Sequence, residues 1–592
     1  MLVLSSVFLS LAASITEPDS VRDYIALREM MGKGNIPQGT SFCEQLIDKF
    51  PDYISLYDAY AEISQYNGTL RSALPFLDRR CDGSMKSAYS LYGLGCVYMR
   101  LKEYEAAQNA FEHSNQFGLH DPRIVKGLAY AYALANGVAR AITHYRVLCH
   151  RYPDRSDLWY ALCLSYWGRN DYMNALDAAR RAAILKPDEL HYRIAAAVLP
   201  FAAGQHEAQE KTIVCLIDSA RRHHEFETLG FLRSILVRAY IQDQRLPEAH
   251  LQTKLLLTEM SLAGVLKWIG WSYLSLSDVE FMEADFVASL ENTKKAIESA
   301  KKGDDHDLEW EAYNREFDCF MELGLFREAI RNAQMRLSLR AGSVDLKPAK
   351  ALADNARVFM EVGEYEVALE YGIRATVSLE GNSADPSVAA GVHSTLGQIY
   401  MGLRQYDEAK NQFAAEEKII GGALFSLRDM AVLRGNQGNC YLAEGSMRKA
   451  GLAFREQLGL VRKTRYSRER AYALLNLGNY FYALGDYWKA REEYLMALIE
   501  GQRLSLRRVV VQAAHSLAAL SEHLGSEQET IDWLKRAIGE WQKTNWLAKT
   551  GLLGTRGASA ITGDLEKLLT LLIRSNRKDE AFNVAEIWNS SN

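Results

Sequence analysis

The sequence predicts an all-α protein built from repeated helical hairpins. Only 11 of the 592 residues are proline, which favours helices because proline breaks a helix interior. Hydrophobic residues make up 48% and charged residues 24%, a composition typical of a folded protein rather than a disordered chain. A period of 34 residues in the first half and of about 40 residues in the second half indicates stacked repeats instead of separate globular domains.

The 34-residue period is clearest in three segments that begin at Ala88, Pro122 and Ser156. An earlier copy begins at Ile54. In the three segments position 8 is small, position 11 is tyrosine and position 20 is alanine. The residues are Gly95, Ala129 and Cys163 at position 8, Tyr98, Tyr132 and Tyr166 at position 11, and Ala107, Ala141 and Ala175 at position 20.

A second array follows with a longer period. Its position-20 alanines are Ala329, Ala368, Ala409, Ala450 and Ala490. Position 11 is aromatic in each copy, and the last three copies add a glycine at position 8 and an aromatic residue at position 24. These last residues are Gly397, Gly438 and Gly478, and Phe413, Phe454 and Tyr494. The longer period predicts longer helices or longer loops.

Both patterns resemble the tetratricopeptide repeat (TPR). The second half is similar to the TPR arrays of kinesin light chains and of LGN-type polarity adaptors, and to those that precede CHAT protease domains. The resemblance implies a right-handed α-solenoid of about twelve to fourteen stacked helical hairpins, with a concave working surface. Small residues at positions 8 and 20 would let the two helices of a hairpin approach, and larger residues at positions 7, 11 and 24 would fill the space between hairpins.

The periodicity also predicts a domain organisation. The central stretch keeps only a blurred register, so it is either a set of degenerate repeats or a hinge. The predicted segments are a leader or signal peptide at 1–19, a 34-residue TPR array at 20–189, degenerate helical repeats at 190–305, a 40-residue TPR array at 306–545, and a terminal repeat and cap at 546–592.

The cellular location has two readings. Residues 1–14 are apolar and uncharged, which suits the central part of a signal peptide, although the positively charged start of such a peptide is missing. The eight cysteines form no CxxC pair, and we interpret them as buried thiols of a cytoplasmic protein. Export is the alternative. No apolar run reaches the length of about 18 residues that a membrane span needs.

Motifs for chemistry are missing from the sequence. It contains no GxxxxGK[ST] phosphate loop, no HExxH zinc motif and no GxSxG nucleophile elbow. We interpret the glycine-rich stretch 551–557 as a loop between helices. The net charge of −5 and the pI of about 6.3 disfavour a general nucleic-acid binder. We therefore predict a protein without enzymatic activity, cofactor or metal ion.

Polar side chains repeat on the first helix of each hairpin in the second array. They occupy positions 6 and 9, which are three residues apart and therefore share a helical face. They are Thr395 and Gln398, Asn436 and Asn439, and Asn476 and Asn479. A side-chain amide offers both a donor and an acceptor, so a ladder of amides can pair with the backbone of an extended peptide. The kinesin-light-chain-like and LGN-like TPR arrays use asparagines of the concave face in this way, and the resemblance implies the same use here.

The charge around this ladder suggests the character of the ligand. Between Arg434 and Val511 there are 14 Lys or Arg and seven Asp or Glu residues. A basic groove, with Arg434 and Arg470 at the ladder, would attract an acidic peptide or a C-terminal carboxylate. Alternatively, these charges lie on a solvated outer face or at helix C-termini.

We therefore predict a protein-interaction scaffold that binds an extended, acidic peptide segment in the groove of the second array. One alternative is a sensor that controls a separate CHAT-like protease or other effector. Another is a purely structural spacer in a larger assembly.

Overall fold

A computed structural model describes most of the chain. The described residues are 19–81, 87–117, 121–169, 171–202, 206–243, 245–283, 285–323, 325–339, 347–379, 386–422, 427–462, 467–504, 506–545 and 559–591. The predicted leader and the glycine-rich stretch 551–557 lie outside these residues.

Within the described residues the chain forms 30 α-helices and no strand. The first fifteen are α1 Asp19–Gly32, α2 Ile36–Lys49, α3 Ser55–Tyr66, α4 Leu70–Asp78, α5 Ser87–Leu101, α6 Tyr104–Gln116, α7 Pro122–Asn136, α8 Val138–Arg151, α9 Ser156–Gly168, α10 Tyr172–Leu185, α11 Leu190–Ala202, α12 His206–Arg222, α13 Phe226–Gln242, α14 Leu246–Leu262 and α15 Leu266–Met282.

The second fifteen helices complete the described chain. They are α16 Phe286–Lys302, α17 His306–Leu323, α18 Phe326–Ser338, α19 Lys347–Glu361, α20 Tyr365–Leu379, α21 Pro386–Gly402, α22 Tyr406–Gly422, α23 Leu427–Glu444, α24 Met447–Arg462, α25 Ser467–Ala483, α26 Tyr487–Arg503, α27 Arg507–His523, α28 Glu527–Asn545, α29 Ser559–Arg574 and α30 Lys578–Ser591.

Consecutive helices pair into hairpins. We call the odd-numbered helix of each pair the A helix and the even-numbered one the B helix. In the second array each A helix packs against its own B helix and against the next A helix, as α21 does with α22 and α23. The predicted all-α fold of stacked hairpins is confirmed. The described chain holds fifteen hairpins, slightly more than the twelve to fourteen that the sequence pattern predicts.

The helices of the central stretch are evenly spaced along the sequence. From Phe226 to Phe326, successive helices begin every 20 residues, at 226, 246, 266, 286, 306 and 326. The 40-residue period therefore starts about two hairpins before the alanine pattern at Ala329 reveals it. The predicted domain boundaries themselves stay a prediction.

The two helices of a hairpin approach most closely at position 8. A Cβ atom added to Gly397 would lie 2.4 Å from Cε1 of Phe413, and one added to Gly438 would lie 2.4 Å from Cε1 of Phe454. Gly478 stands in the same relation to Tyr494. The position-24 ring thus covers the position-8 glycine of its own hairpin, whereas the sequence analysis placed this ring between hairpins.

The position-20 alanines explain why the B helix can lie so close to the A helix of its hairpin. All eight predicted alanines are fully buried: Ala107, Ala141, Ala175, Ala329, Ala368, Ala409, Ala450 and Ala490. Any larger side chain at these positions would push the helices apart, because helix separation follows the size of the contact residues.

The turns inside the hairpins depend on left-handed backbone conformations. Gly445 and Gly485 have φ of 88° and 78° at the end of their A helices, a conformation that glycine adopts without steric cost. Arg404 adopts it as a non-glycine residue, with φ of 60°. Each of these turns keeps the connection to the B helix short.

The chain divides into two compact units. Unit 1 contains Met1–Ala239, Glu248–Ser272 and Glu298–Asp305, and unit 2 contains Tyr240–Pro247, Tyr273–Ile297 and His306–Asn592. None of the described helices is both long enough and apolar enough to cross a membrane. Six of the eight cysteines are buried, Cys81 is half-buried and Cys215 is exposed.

Unit 1 contains a buried ion pair between its first two hairpins. Arg28 on α1 and Glu62 on α3 are 2% and 4% exposed, and Nη1 of Arg28 lies 2.5 Å from Oε2 of Glu62. Nε of Arg28 also donates to the hydroxyl of Tyr24 at 3.0 Å. The backbone amide of Lys267, 205 residues further along the chain, donates to Oε1 of Glu62 at 3.4 Å. Early and late helices of unit 1 therefore meet at this pair.

We predict that Gly438→Ala destabilises unit 2, because the added methyl group collides with the buried ring of Phe454. Overpacking of this kind costs about 1–3 kcal/mol, which should lower the urea midpoint followed by circular dichroism. The matched control is Gly459→Ala on α24, where nothing lies within 4 Å of the added Cβ. That variant should be as stable as the wild type or more so. Equal midpoints for both variants would show that the glycine–aromatic contact does not limit helix approach.

We also predict that Glu62→Gln destabilises unit 1 by about 3–5 kcal/mol, because it leaves the charge of Arg28 buried without a counter-charge. Chemical denaturation monitored by circular dichroism measures this loss. Asp19→Asn, which breaks an exposed ion pair with Arg22 on the same helix, is the control and should change stability by less than about 1 kcal/mol. A Glu62→Gln protein as stable as this control would contradict the prediction.

Candidate peptide-binding surface

The six polar residues predicted as a ladder lie on three successive A helices of unit 2. We call this set the amide face: Thr395 and Gln398 on α21, Asn436 and Asn439 on α23, and Asn476 and Asn479 on α25. Thr395 is buried, whereas the other five side chains keep partial contact with solvent. The structure thus places each pair on equivalent positions of neighbouring repeats.

Hydrogen bonds connect the amide face from one A helix to the next. Nδ2 of Asn436 donates to Oγ of Ser394 at 3.2 Å, which joins α23 to α21. Nδ2 of Asn439 donates to Oδ1 of Asn476 at 3.5 Å, which joins α23 to α25. Asn439 and Asn476 are thus joined directly, whereas α21 is reached through Ser394, which is not a member of the amide face.

Other members of the amide face bond to a B helix or within their own helix. Nδ2 of Asn476 donates to Oε1 of Gln457 at 3.1 Å, and the hydroxyl of Tyr494 donates to Oδ1 of Asn479 at 2.9 Å. Oγ1 of Thr395 donates to the carbonyl of Gly391. Among the described contacts, the side-chain carbonyl oxygens of Asn436 and Asn439 accept no hydrogen bond, which leaves two acceptors for a partner.

The two arginines predicted for the site already have partners. Nη2 of Arg434 lies 2.8 Å from Glu417, and its Nε lies 2.9 Å from Glu456. Arg470 forms an ion pair with Glu500. An incoming carboxylate would have to exchange with these residues.

Charges from outside the basic sequence window offset much of its positive charge. The partner acids Glu417, Glu322, Glu361 and Glu529 pair with Arg434, Arg468, Arg508 and Arg491. A count over consecutive residues cannot register such pairs, because the acids come from other helices. The excess positive charge at the surface is therefore smaller than the sequence window indicates.

A row of arginines at the start of the A helices was missed by the sequence analysis. Arg428, Arg468 and Arg508 follow one another at intervals of 40 residues on α23, α25 and α27, and we call them the arginine row. On α25, Arg468, Tyr472 and Asn479 share one helical face, so the row borders the amide face. The spacing of 40 residues between these arginines is visible in the sequence and could have revealed the row.

Each member of the arginine row binds a glutamate from another repeat. Nε of Arg428 lies 2.5 Å from Glu469 on the next A helix. Nη2 of Arg468 lies 2.7 Å from Glu322 on α17. Nη2 of Arg508 donates to both carboxylate oxygens of Glu361 on α19, at 3.0 and 2.9 Å. The last two pairs join A helices that are four hairpins apart, so unit 2 winds back on itself.

The repeat type follows from these contacts. In the last three hairpins of the second array a glycine at position 8 of the A helix lies against the aromatic ring at position 24 of the B helix, the alanine at position 20 is buried, and the period is about 40 residues. In this packing and in their period the hairpins resemble tetratricopeptide repeats.

Comparisons with known proteins found similar solved structures. No protein-family model and no curated protein matches the sequence. Similar solved structures include the APC/C hetero-tetramer Cut9–Hcn1, with 13% identity, a TM-score of 0.38, and coverage of 77% of this chain and 90% of that chain. Another is a Rap protein complexed with competence and sporulation factor, with 11% identity, a TM-score of 0.42, and coverage of 61% and 97%.

A buried carboxyl group lies directly beneath the amide face. Glu416 on α22 is 4% exposed, and its Oε2 has no hydrogen-bond partner. Burial raises the pKa of Glu416 to about 8, and nearby Asp429 adds to the rise, while a hydrogen bond with Ser394 opposes it. Ser394 in turn accepts from Asn436, so the protonation of Glu416 is coupled to the amide face.

Unit 1 has its own cluster of charged side chains on A helices. Oδ1 of Asp58 accepts from the hydroxyl of Tyr92 at 2.6 Å, and Oε2 of Glu227 accepts from Nε1 of Trp268 at 2.7 Å. Lys126 keeps contact with solvent, yet the surrounding protein displaces enough water to lower its pKa. Each helix contributes one such residue, so no local sequence motif marks the cluster. The described residues hold no group of three His, Cys, Asp or Glu side chains that could bind a metal ion.

We predict that the stability of unit 2 falls as the pH rises from about 5 to 8. The folded state keeps the proton of Glu416 up to about pH 8, whereas the unfolded chain releases it near the ordinary value of 4.5. The free energy of unfolding should therefore fall by at most about 1.4 kcal/mol per pH unit from this group, and no further above pH 8.

Glu416→Gln should flatten this dependence, because the amide stays neutral at every pH. Urea midpoints measured across this pH range test the prediction. Glu408→Gln changes an exposed carboxylate on the same helix and should keep the wild-type slope. A slope that is the same in all three proteins would exclude Glu416 as its source.

Proposed function

We propose that this chain is a non-enzymatic scaffold that binds an extended, acidic protein segment along the amide face of unit 2. The observation that carries the proposal is the set of polar side chains at equivalent positions of three successive repeats, with unused acceptors at Asn436 and Asn439. Residues with partly exposed amides in equivalent places on successive repeats form a track rather than a single pocket.

The chemistry of this track suits a polypeptide backbone. An extended segment presents alternating N–H donors and C=O acceptors, and asparagine side chains can satisfy both. The side-chain carbonyls of Asn436 and Asn439 would accept backbone N–H groups of the partner. Because backbone groups are the same in every residue, such contacts position a segment without reading its sequence.

Side chains beside the track supply the remaining selectivity. Val432, 40% exposed, and Tyr472 lie one turn after Arg428 and Arg468 and offer apolar contact area next to the amides. The arginine row would pair with carboxylates of the segment, which is the basis for an acidic ligand. Charge of this kind mainly speeds association and selects the partner, while buried hydrogen bonds hold it in place.

We predict that Asn436→Ala together with Asn439→Ala weakens binding of the natural partner by about fivefold or more for each lost hydrogen bond, which corresponds to about 1 kcal/mol each. The partner is first isolated with the full chain as bait and mapped by crosslinking mass spectrometry. Its affinity for the variants is then measured by calorimetry.

The matched control is Asn411→Ala, which removes an exposed amide from the B helix α22 and should leave the affinity unchanged. Thermal unfolding of each variant checks that the fold is intact. A partner that binds the double variant as tightly as the wild type, or that crosslinks to B helices alone, would exclude the amide face as its binding site.

A further inference from the structure

Two ion pairs link the A helices of unit 2 across four hairpins. Arg468 on α25 pairs with Glu322 on α17, and Arg508 on α27 pairs with Glu361 on α19. The second pair repeats the first one hairpin further along the stack, since both arginines and both glutamates move on by about 40 residues. We call these two pairs the clasp.

The clasp is accessible to solvent. The side chains of Arg468 and Glu322 are 27% and 16% exposed, and those of Arg508 and Glu361 are 39% and 30% exposed. By contrast, the Arg336–Asp354 pair of the same unit is 0% and 6% exposed. Partly exposed ion pairs are weak and are screened by salt, so a competing carboxylate can replace one partner of the clasp but cannot reach the buried pair.

The clasp lies beside the amide face. Arg468 and Asn479 lie on the same side of α25, and Tyr472 sits between them one turn after Arg468. The pKa of Tyr472 is raised by burial, and the charges of Arg508, Glu322 and Arg468 all act on it. Both pairs of the clasp therefore converge on the tyrosine that separates the arginine row from the asparagines.

We propose that Glu322 and Glu361 act as a built-in substitute for the acidic ligand: they occupy Arg468 and Arg508 until carboxylates of a partner segment replace them. This inference rests on the proposed function, because it concerns the ligand of the same surface. It assigns the two arginines as the residues that bind the acidic side chains of the partner, and it makes the free chain autoinhibited.

The exchange conserves the number of ion pairs. Two ligand carboxylates take the places of two internal ones, and the released Glu361 remains close enough to Arg357 to interact with it. Release of the clasp removes the ion pairs that join α17 to α25 and α19 to α27. Those helices can then separate, which widens access to Tyr472 and to the amide face behind it.

The test uses the full chain and a fluorescein-labelled poly-glutamate peptide as the probe, with binding followed by fluorescence anisotropy. Glu322→Gln together with Glu361→Gln frees both arginines. This variant should bind the probe about tenfold more tightly than the wild type, as expected for at least one charge-assisted hydrogen bond gained. The gain should shrink as salt is added.

The matched control is Glu366→Gln together with Glu408→Gln, which changes the net charge equally at exposed positions of B helices. Arg468→Gln together with Arg508→Gln should abolish the gain when combined with the freed variant. Hydrogen–deuterium exchange without any ligand supplies a second readout: α17 and α25 should exchange faster in the freed variant than in the control.

The possible results distinguish failure of the clasp from failure of the proposed function. Probe binding by the freed variant no tighter than by the control, or equal exchange in the two, overturns the clasp. If the gain persists in a protein that also carries Asn436→Ala and Asn439→Ala, the clasp stands while the amide face loses its role. If the asparagine substitutions weaken binding of the natural partner while Glu322→Gln and Glu361→Gln leave probe binding unchanged, the proposed function stands without the clasp.

Discussion

The contact between the position-8 glycine and the position-24 ring is the constraint on which the rest of the second array depends. Gly438 and Phe454 bring α23 and α24 together closely enough that no side chain larger than hydrogen fits between them. The small, buried side chain of Ala450 allows an equally close approach in the neighbouring part of the interface. The same contact recurs between Gly397 and Phe413 and between Gly478 and Tyr494, so the three hairpins that carry the amide face are closed in the same way. Equivalent residues of successive repeats then lie in register, which is the condition for a ladder of amides and for a row of arginines.

Ion pairs between distant repeats help to determine how the stack coils, which hydrophobic packing alone does not fix. Apolar contacts between neighbouring repeats are non-directional, so they do not by themselves set how far a stack coils. In unit 1 the buried Arg28–Glu62 pair also accepts the amide of Lys267, and in unit 2 Arg468 and Arg508 hold glutamates four hairpins away. The first arrangement is inaccessible and permanent, whereas the second is partly exposed. The two units therefore use similar interactions with different consequences for access by a partner.

The surface proposed for binding combines polar groups that are already partly satisfied. The side-chain amides of Asn436 and Asn439 donate to neighbouring repeats, and their carbonyl oxygens remain free to accept. Arg434, Arg470 and the arginine row near them are each paired with a glutamate. Such a surface is stable without a ligand, since these arginines already have counter-charges. Binding is then an exchange of partners, and the free energy of association is the difference between the internal and the external contacts. Glu416 beneath Ser394 connects the same surface to pH through its raised pKa.

The sequence by itself determined the helical class, the two repeat lengths, the buried alanines and the equivalent placement of the six amide-face residues. These features are local or periodic, and a repeat of small and large residues at fixed positions specifies the helix that carries them. The ring of Phe454 against Gly438, the partners of Arg434 and Arg470, and the pairing of Arg468 with Glu322 were decided by the tertiary structure. The physical reason is distance along the chain: in unit 2, residues up to 147 positions apart are brought together by the winding of the stack, and no window of consecutive residues records which charge will face which.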